Sequence, residues 1–133
     1  MGKFFEYPVA TRSQTELVKI DHLVQKAIDE TGLKDGLCHI FVPHTTAAVT
    51  INEGADPSVV SDILKELNKV VPFSDNYNHQ EGNSAAHIKS SLVGCSISII
   101  VESGSPRLGT WQSVFFCEFD GPRQRKIWIR VSE

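Results

Sequence analysis

QSVFFCEFDGPRQRKIWIRV, residues 112–131, contains two segments in which apolar side chains recur at every second position. These segments, 112–119 and 125–131, are predicted to be β-strands, because successive side chains of a strand point to opposite faces. CSISIIV at 95–101 has the same alternation and predicts a third strand. Further strands are predicted nearer the N-terminus, at 3–10, 14–20, 37–42 and 47–51.

Three helices are predicted between the two groups of strands. The clearest covers 56–71, where apolar residues recur at helical spacing behind the capping residue Asp56. A second helix has Asp21 as its predicted N-cap and ends at Gly32. A short third helix is predicted to begin at a cap, Ser84 or Asn83, to run through Leu92 and to be closed by Gly94.

Strands at both ends of the chain, with helices between them, predict a single α+β domain over residues 1–133. A doubly wound parallel sheet is disfavoured, since helices and strands do not alternate strictly. The chain has 41% hydrophobic and 22% charged residues, which is enough apolar material for one core. Large apolar groups on both faces of two strands indicate that a second sheet face is buried in an oligomer.

The bulk charge and the apolar runs exclude several classes of protein. A net charge of -3 disfavours sequence-independent binding of nucleic acid. No apolar run is long enough to span a membrane, and the N-terminal segment lacks the pattern of a signal peptide. The three cysteines, Cys38, Cys95 and Cys117, are predicted to be buried, reduced and unpaired. We therefore expect a cytoplasmic protein that does not bind membranes.

Three histidines, His44, His79 and His87, fall at predicted loops or helix starts. Three neutral imidazoles that converge from such positions bind zinc in the open arrangement of catalytic sites. Their spacing matches no named zinc signature. Solvated or capping histidines are the alternative, and direct contact with a substrate is a further one.

Polar residues gather around the first of these histidines. Thr45 and Thr46 follow it directly, and Asn52 and Glu53 end the next strand. Hydroxyl, amide and carboxylate groups near strand ends orient a ligand or move protons. Ordinary turn and capping chemistry explains the threonines equally well.

Basic residues lie near the remaining candidate positions. Lys89 is close to a helix N-terminus, which favours an anion such as phosphate, and Arg123 after a Gly-Pro turn is a candidate phosphate ligand. Glu118 alternates with apolar residues and is expected to point to a covered face. Its natural partner is Arg123 or Arg125, in a structural salt bridge or as part of a phosphate clamp, and for Glu118 and Arg125 a structural salt bridge is favoured over a catalytic role.

Four ordered segments resemble the YjbQ family, also called the secondary thiamine-phosphate synthase enzyme family. They are PHTTAAVTINEGADP at 43–57, NYNHQEGNSAAHIKSSLVG at 76–94, the pattern around GTWQ at 109–112, and EFDGPRQRK at 118–126. The resemblance covers the chain almost from end to end. One departure is Ser105 after Gly104, where the family pattern often has an arginine, for which Arg107 is a possible substitute.

The resemblance implies an α/β sandwich around a mixed, largely antiparallel sheet with two to three helices, assembled as a homotrimer with sites near subunit interfaces. It implies a divalent metal, zinc being the candidate, at His44, His79 and His87, with catalytic roles for His79, Glu53 and Glu118. Phosphate binding falls to the hydroxyl, amide and basic groups, namely Thr45, Thr46, Asn52, Lys89 and Arg123.

The implied activity is a low or secondary thiamine-phosphate synthase reaction, which joins a hydroxymethylpyrimidine pyrophosphate to a thiazole phosphate. Hydrolysis of a small phosphorylated metabolite is an alternative, because three histidines suit zinc whereas pyrophosphate chemistry usually uses magnesium on oxygen ligands. A trimer that binds a metabolite or metal without turnover is the second alternative. A nucleic-acid or structural role is the least favoured.

Overall fold

The structure is a computed structural model that describes residues 3–133, with eight strands and three helices in that range. The strands are β1 Lys3–Ala10, β2 Glu16–Lys19, β3 Gly36–Phe41, β4 Ala47–Glu53, β5 Ser96–Glu102, β6 Ser105–Pro106, β7 Gln112–Glu118 and β8 Gln124–Ser132. The helices are α1 Asp21–Thr31, α2 Pro57–Val70 and α3 Ser84–Val93.

The strands form two sheets. One has five strands in the order β1-β8-β3-β5-β6, and the other has three in the order β2-β7-β4. The predicted α+β class with three helices is confirmed. The expected single mixed sheet is corrected to two sheets in which every pairing of the described strands is antiparallel. Consecutive strands such as β3 and β4 or β7 and β8 belong to different sheets, so the chain crosses between the sheets several times.

The main core lies between the two sheets and is closed by α1. It combines the inward residues of β1, β3, β5 and β8 with Val24, Ala27 and Ile28 of α1 and with residues of β4 and β7. A smaller cluster lies on the other face of the three-stranded sheet, where Ala86 of α3 meets Phe119. The three-stranded sheet is thus covered on both faces, and the outer face of the five-stranded sheet is left open.

The N-terminal ends of α1 and α2 test the capping residues that were predicted from sequence. The Asp56 side chain caps α2 by accepting a hydrogen bond from the Ser58 N–H at 2.9 Å, as predicted. Asp21 is not the N-cap of α1, a prediction that is wrong, since Ile20 holds that position. The Asp21 carboxylate instead accepts from the Val114 N–H at 3.0 Å and joins α1 to β7. Folding brings the Val114 N–H close to Asp21, so the carboxylate binds this strand group and does not cap its own helix.

Two of the three cysteines are buried as predicted. Burial raises the pKa of both thiols, Cys38 and Cys117, to about 12. Cys95 is exposed, which corrects the prediction of burial. It lies between the end of α3 and the start of β5, and its carbonyl accepts from the Val42 N–H at 2.8 Å. Its backbone is therefore held in place while its side chain faces outward.

Within residues 3–133, no helix is both long enough and apolar enough to cross a bilayer.

Candidate functional site

A cavity of about 710 Å³ opens where β3 ends and the chain turns toward β4. Four segments that are distant in sequence form its wall. They are the β3–β4 connection, the segment that precedes α3 with the first turn of that helix, the start of β5, and the β7–β8 turn with the start of β8. The polar and thiol side chains among its lining residues are His44, Thr45, Thr46, His79, Glu81, Asn83, His87, Cys95, Arg123 and Arg125.

The three predicted histidines lie in this one cavity. His79 comes from the long connection between α2 and α3, and His87 comes from the first turn of α3. Their ring centroids are 5.3 Å apart and the rings meet edge to face. His44 lies in the β3–β4 connection and shares a second, adjoining cavity with His87. The structure thus brings together side chains that span more than forty positions of sequence.

His44 is held by the main chain of β8. Its Nε2 lies 3.1 Å from the Lys126 N–H nitrogen and 3.2 Å from the Lys126 carbonyl oxygen. Burial lowers the pKa of His44, and the nearby Arg125 charge lowers it further. The neutral ring is favoured, as a metal ligand requires. Nε2 accepts from the Lys126 N–H when the ring proton is on Nδ1, and it donates to the Lys126 carbonyl when the proton is on Nε2. Only the second tautomer leaves Nδ1 to bind a ligand.

A buried ion pair forms one side of the cavity. The Glu118 carboxylate is fully buried and accepts from Arg125 through Nε, at 2.8 Å, and through Nη2. It also accepts from the Thr11 hydroxyl at 2.7 Å and from the Asp120 N–H at 3.0 Å. These four contacts use its accepting capacity, so the carboxylate is a structural partner of the guanidinium and not a free base.

The protonation of Glu118 follows from the same contacts. Burial raises the pKa of this carboxyl, but hydrogen bonds from Arg125, from the Asp120 N–H and from Thr11, with the guanidinium charge, outweigh burial and lower it overall. The ion pair is therefore charged at neutral pH.

Arg125 is a basic residue of the cavity wall, and its hydrogen bonds to Glu118 and Thr46 fix its orientation. Its Nη2 donates to the Thr46 hydroxyl at 2.8 Å, and the side chain is almost fully buried at the cavity wall. Nη1 makes no hydrogen bond with the residues that the structure describes. One edge of a rigid guanidinium is thus available for an anion. Thr46 supports this arginine, whereas Thr45 is exposed and its carbonyl accepts from Ser90.

The β7–β8 turn supplies a second arginine. Arg123 donates from Nη2 to the Asp120 carboxylate at 3.0 Å and from Nε to the Asp120 carbonyl at 2.8 Å. It lines the cavity with about half of its side chain exposed. Arg123, the residue predicted to bind phosphate, therefore lies at the cavity wall.

Asn83 belongs to the same wall and is buried, with 8% exposure. Its Nδ2 donates to the Asp120 carboxylate at 2.8 Å, whereas its Oδ1 is buried without a hydrogen-bond partner among the described residues. Although it occupies the N-cap position of α3, its side chain makes no capping hydrogen bond. An unsatisfied buried acceptor costs about 1–3 kcal/mol.

Two predicted site residues lie elsewhere. Asn52 and Glu53 are at the opposite end of β4 from Thr46, about 20 Å along the strand by its rise per residue. Glu53 lines a separate cavity with Lys19 and the start of α2, and it accepts from the Asp56 N–H at 3.1 Å. Asn52 accepts from the Glu53 N–H. The structure therefore separates both from the histidines, because the two ends of a strand face different surroundings.

Lys89 is also directed away from the cavity. It is fully buried, and its ammonium group contacts the Asn68 side-chain oxygen and lies 4.8 Å from the centroid of the Phe73 ring. Burial lowers its pKa. Its position on α3, two residues after His87, places it on another face of the helix, where it ties α3 to α2. The predicted phosphate contact from this lysine has no support in the geometry.

The possible substitute for the missing arginine does not reach the cavity either. Arg107 pairs with Glu102 at 3.2 Å, and both side chains are mostly exposed. Ser105 lies in the short edge strand β6. The basic groups at the cavity are those of the β7–β8 turn and the start of β8.

Three lining residues without a predicted site role are Glu81, Asn83 and Cys95, of which Asn83 is predicted as a candidate helix cap and Cys95 as a core residue. Asp120 does not line the cavity but accepts from Asn83 and Arg123, and it too has no predicted role. Asn83 and Asp120 lie inside the quoted segments 76–94 and 118–126, which was the available signal. Their contact joins positions 37 apart and depends on the tertiary fold.

The histidines of the cavity are the side chains that could contribute ligands to a divalent metal. Among residues 3–133, no three His, Cys, Asp or Glu side chains are gathered closely enough to hold an ion. His79 and His87 form a close pair, and His44 faces the same cavity with a carbonyl behind one ring nitrogen. Imidazole donors of this kind suit zinc better than magnesium.

Comparison with known proteins gives a consistent result. The family model described as UPF0047 protein YjbQ-like matches residues 5–133. A UPF0047 protein of Methanocaldococcus jannaschii is 54% identical, with 96% of this chain and 92% of that protein covered. UPF0047 protein YugU of Bacillus subtilis is 47% identical, with 92% and 94% covered.

Solved structures agree with these matches. The crystal structure of a YjbQ/UPF0047 family protein from Clostridium acetobutylicum has a TM-score of 0.95 and 52% identity, with 96% of this chain and 99% of that chain covered. A YbjQ-like protein from Sulfolobus solfataricus has a TM-score of 0.94 and 34% identity, with 98% and 96% covered.

Proposed function

Because this chain belongs to the UPF0047/YjbQ family, we propose that it is an enzyme acting on a small phosphorylated metabolite in the histidine cavity. The proposed reaction is the low or secondary thiamine-phosphate synthase activity that the family resemblance implies. The observation that carries this proposal is the convergence of three histidines and two arginines on one cavity of about 710 Å³. That volume suits a small metabolite.

The phosphate group is proposed to bind at the arginine end of the cavity. Arg125 offers Nη1 while Glu118 and Thr46 hold the rest of its guanidinium. Arg123, steadied by Asp120, approaches from the solvent side. Two guanidinium groups in fixed orientations neutralise and align a phosphate before any bond changes.

The histidine end is proposed to hold a divalent ion through His44, His79 and His87. When bound, such an ion supplies Lewis acidity toward phosphate oxygens. Of the three predicted catalytic residues, His79 is the one that lies in the cavity with an exposed side chain, and its proposed role there is to hold the ion. Glu118 takes the role of positioning Arg125.

The first test is metal content, measured by elemental analysis of wild type and of the His44, His79 and His87 alanine variants. We expect about one divalent ion per chain in wild type and its loss in each variant. His22→Ala is the matched control, because His22 is an exposed histidine on α1 outside the cavity. Wild type that takes up no metal on incubation would contradict the metal part of the proposal.

The second test is turnover. Purified protein with saturating metal is incubated with hydroxymethylpyrimidine pyrophosphate and thiazole phosphate, and thiamine phosphate is quantified by chromatography. We expect slow formation that is lost in His79→Ala and retained in His22→Ala. If neither these substrates nor a broad panel of phosphorylated metabolites is turned over, the enzyme proposal fails and a binding role remains.

Hydrolysis of a small phosphorylated metabolite is the second candidate function, and the three histidine donors of the cavity favour it. Histidine ligands suit zinc, and a zinc ion lowers the pKa of water, which serves hydrolysis better than pyrophosphate transfer. Release of inorganic phosphate in the same panel, without thiamine phosphate, would favour this candidate.

We further propose that the chain assembles as a homotrimer and works in the cytoplasm. The open face of the five-stranded sheet carries Phe4, 51% exposed, and Phe41, whose ring stacks 5.8 Å from that of Trp128. Phe41 also lines the histidine cavity, so a subunit packed on this face would border the site. Light scattering after size-exclusion chromatography measures the assembly, and a monomer at micromolar concentration would overturn this part.

A further inference from the structure

A second cavity adjoins the histidine cavity and has no role in the proposed function. It has a volume of about 380 Å³ and lies between the β3–β4 connection and α3 with the residues that follow this helix. Both cavities are lined by His44, Thr45, His87 and Cys95, so they meet along these four residues. Thr45 and Cys95 are exposed, and solvent therefore reaches the place where the cavities meet. A ligand of sufficient length can extend from one cavity into the other.

The two cavities differ in charge. The histidine cavity is lined by Arg123, Arg125 and Glu81 in addition to its histidines. Within residues 3–133, the lining of the second cavity contains no arginine, lysine, aspartate or glutamate. A charged group that leaves water without a partner loses free energy. The phosphate therefore belongs with the arginines, and the part of a ligand that enters the second cavity is uncharged.

The serine hydroxyls of the second cavity already bind main-chain carbonyls. The Ser90 hydroxyl lies 2.6 Å from the Thr45 carbonyl oxygen and 3.0 Å from the His87 carbonyl oxygen, and the Ser91 hydroxyl donates to the His87 carbonyl at 3.0 Å. Each hydroxyl has one hydrogen, so neither serine keeps a donor for a ligand. An alanine, a glycine and a cysteine add apolar or weakly polar surface. The lining thus suits a body that is largely apolar as well as uncharged.

We propose that the second cavity is a subsite for the uncharged, largely apolar body of a phosphate monoester whose phosphate binds at the arginines. The inference rests on the proposed function for the phosphate half of this ligand. His44 and His87 border both cavities, whereas His79 and the two arginines border only the first. The bond between body and phosphate therefore lies beside His44 and His87. The volume of about 380 Å³ exceeds the roughly 150 Å³ of a cavity that holds benzene, so a ring fits.

Methyl phosphate and phenyl phosphate test the subsite. They have the same charge above their second pKa values, and they differ in a methyl group against a ring. Isothermal titration of wild type, after incubation with zinc, is expected to show about tenfold tighter binding of phenyl phosphate, because the ring leaves water in the second cavity. Ser91 is exposed and lines only the second cavity. In Ser91→Trp the indole is expected to fill this cavity, so phenyl phosphate loses its advantage and methyl phosphate binds as before.

Two controls accompany this test. Ile88→Trp is the matched variant, because Ile88 is an exposed residue of α3 that lines neither cavity, and it is expected to keep the tenfold ratio. Alkylation of Cys95 by iodoacetamide tests the wild type directly and serves if Ser91→Trp does not fold. At equal saturation, phenyl phosphate is expected to slow this alkylation more than methyl phosphate does, because Cys95 lines the second cavity as well as the first.

Several outcomes overturn the inference. Equal binding of the two probes to wild type removes it and leaves the phosphate site intact, as does a tenfold ratio that persists in folded Ser91→Trp. Equal protection of Cys95 by the two probes, or loss of the ratio in Ile88→Trp as well, also counts against it. Loss of methyl phosphate binding in Ser91→Trp would make the second cavity part of the phosphate site. If neither probe binds the wild type, the proposed phosphate site fails first and this inference fails with it.

Discussion

Replacing Glu118 by glutamine is expected to destabilise the protein strongly, although the shape of the side chain is kept. The carboxylate accepts four hydrogen bonds, two of them from the Arg125 guanidinium. Glutamine keeps one oxygen, and its NH2 group would face donors wherever it replaces the other. Removing one partner of a buried pair typically costs about 3–5 kcal/mol, a large part of the roughly 5–15 kcal/mol that holds a domain together.

Urea unfolding followed by circular dichroism measures this loss. With a slope of about 2 kcal/mol per molar urea, the expected cost lowers the midpoint by roughly 2 M. Wild type and variant are compared at one protein concentration, because assembly changes apparent stability. Glu102→Gln is the matched control, since Glu102 pairs with Arg107 on the surface and its removal is expected to cost at most about 1 kcal/mol.

One outcome of these urea titrations would contradict the prediction for Glu118→Gln. If Glu118→Gln shifts the midpoint no more than Glu102→Gln, the buried pair does not stabilise the native state as argued. Arg125 would then have to be held at the cavity by other contacts.

Three further predictions follow from the same geometry. Because the folded pKa of Glu118 is lowered, its stabilisation is complete above the ordinary glutamate pKa and is lost as pH falls through the folded value. The difference in unfolding free energy between wild type and Glu118→Gln should therefore narrow below about pH 4, and a constant difference in stepped-pH urea titrations would contradict this. Gly121→Ala would place a Cβ 2.3 Å from the Ser13 carbonyl oxygen and 2.7 Å from Glu118 Cγ, and it is expected to cost about 1–3 kcal/mol in the same urea assay. An unchanged midpoint would argue against these close approaches. A thiol reagent should modify Cys95 rapidly and Cys38 and Cys117 only on unfolding, with mass spectrometry counting one fast site, and three equal rates would refute the assigned burial.

Local signals predicted most of the secondary structure. The helix over 56–71 appears as α2 with its predicted cap, because apolar spacing and capping act within one or two turns. The strands at 112–119 and 125–131 appear as β7 and β8 within one residue at each end. Asp21 marks the limit of such signals, since its carboxylate was drawn to an N–H 93 positions away.

The candidate site was predicted in part. The motifs that resemble the YjbQ family singled out the three histidines and Arg123, and the structure places all four at one cavity. The same motifs also contain Glu53, which lies at the far end of its strand. Glu53 is close in sequence to His44, but the seven residues of β4 place it about 20 Å along the strand from the histidine cavity. Nearness in sequence was therefore a poor guide to nearness in space.

The sequence by itself determined the α+β class, the order of the elements except the two-residue strand β6, and the residue types available for chemistry, because periodicity, caps and turn residues act locally. Only the tertiary structure decided that the strands divide into two sheets and that Glu118, Thr11 and Arg125 meet in one buried network. Thr11 and Glu118 are 107 positions apart, and their contact depends on the register of paired strands and the turns that join them. Such contacts cannot be predicted from periodicity, because the apolar pattern of each strand shows which face is buried and does not show which distant strand pairs with it.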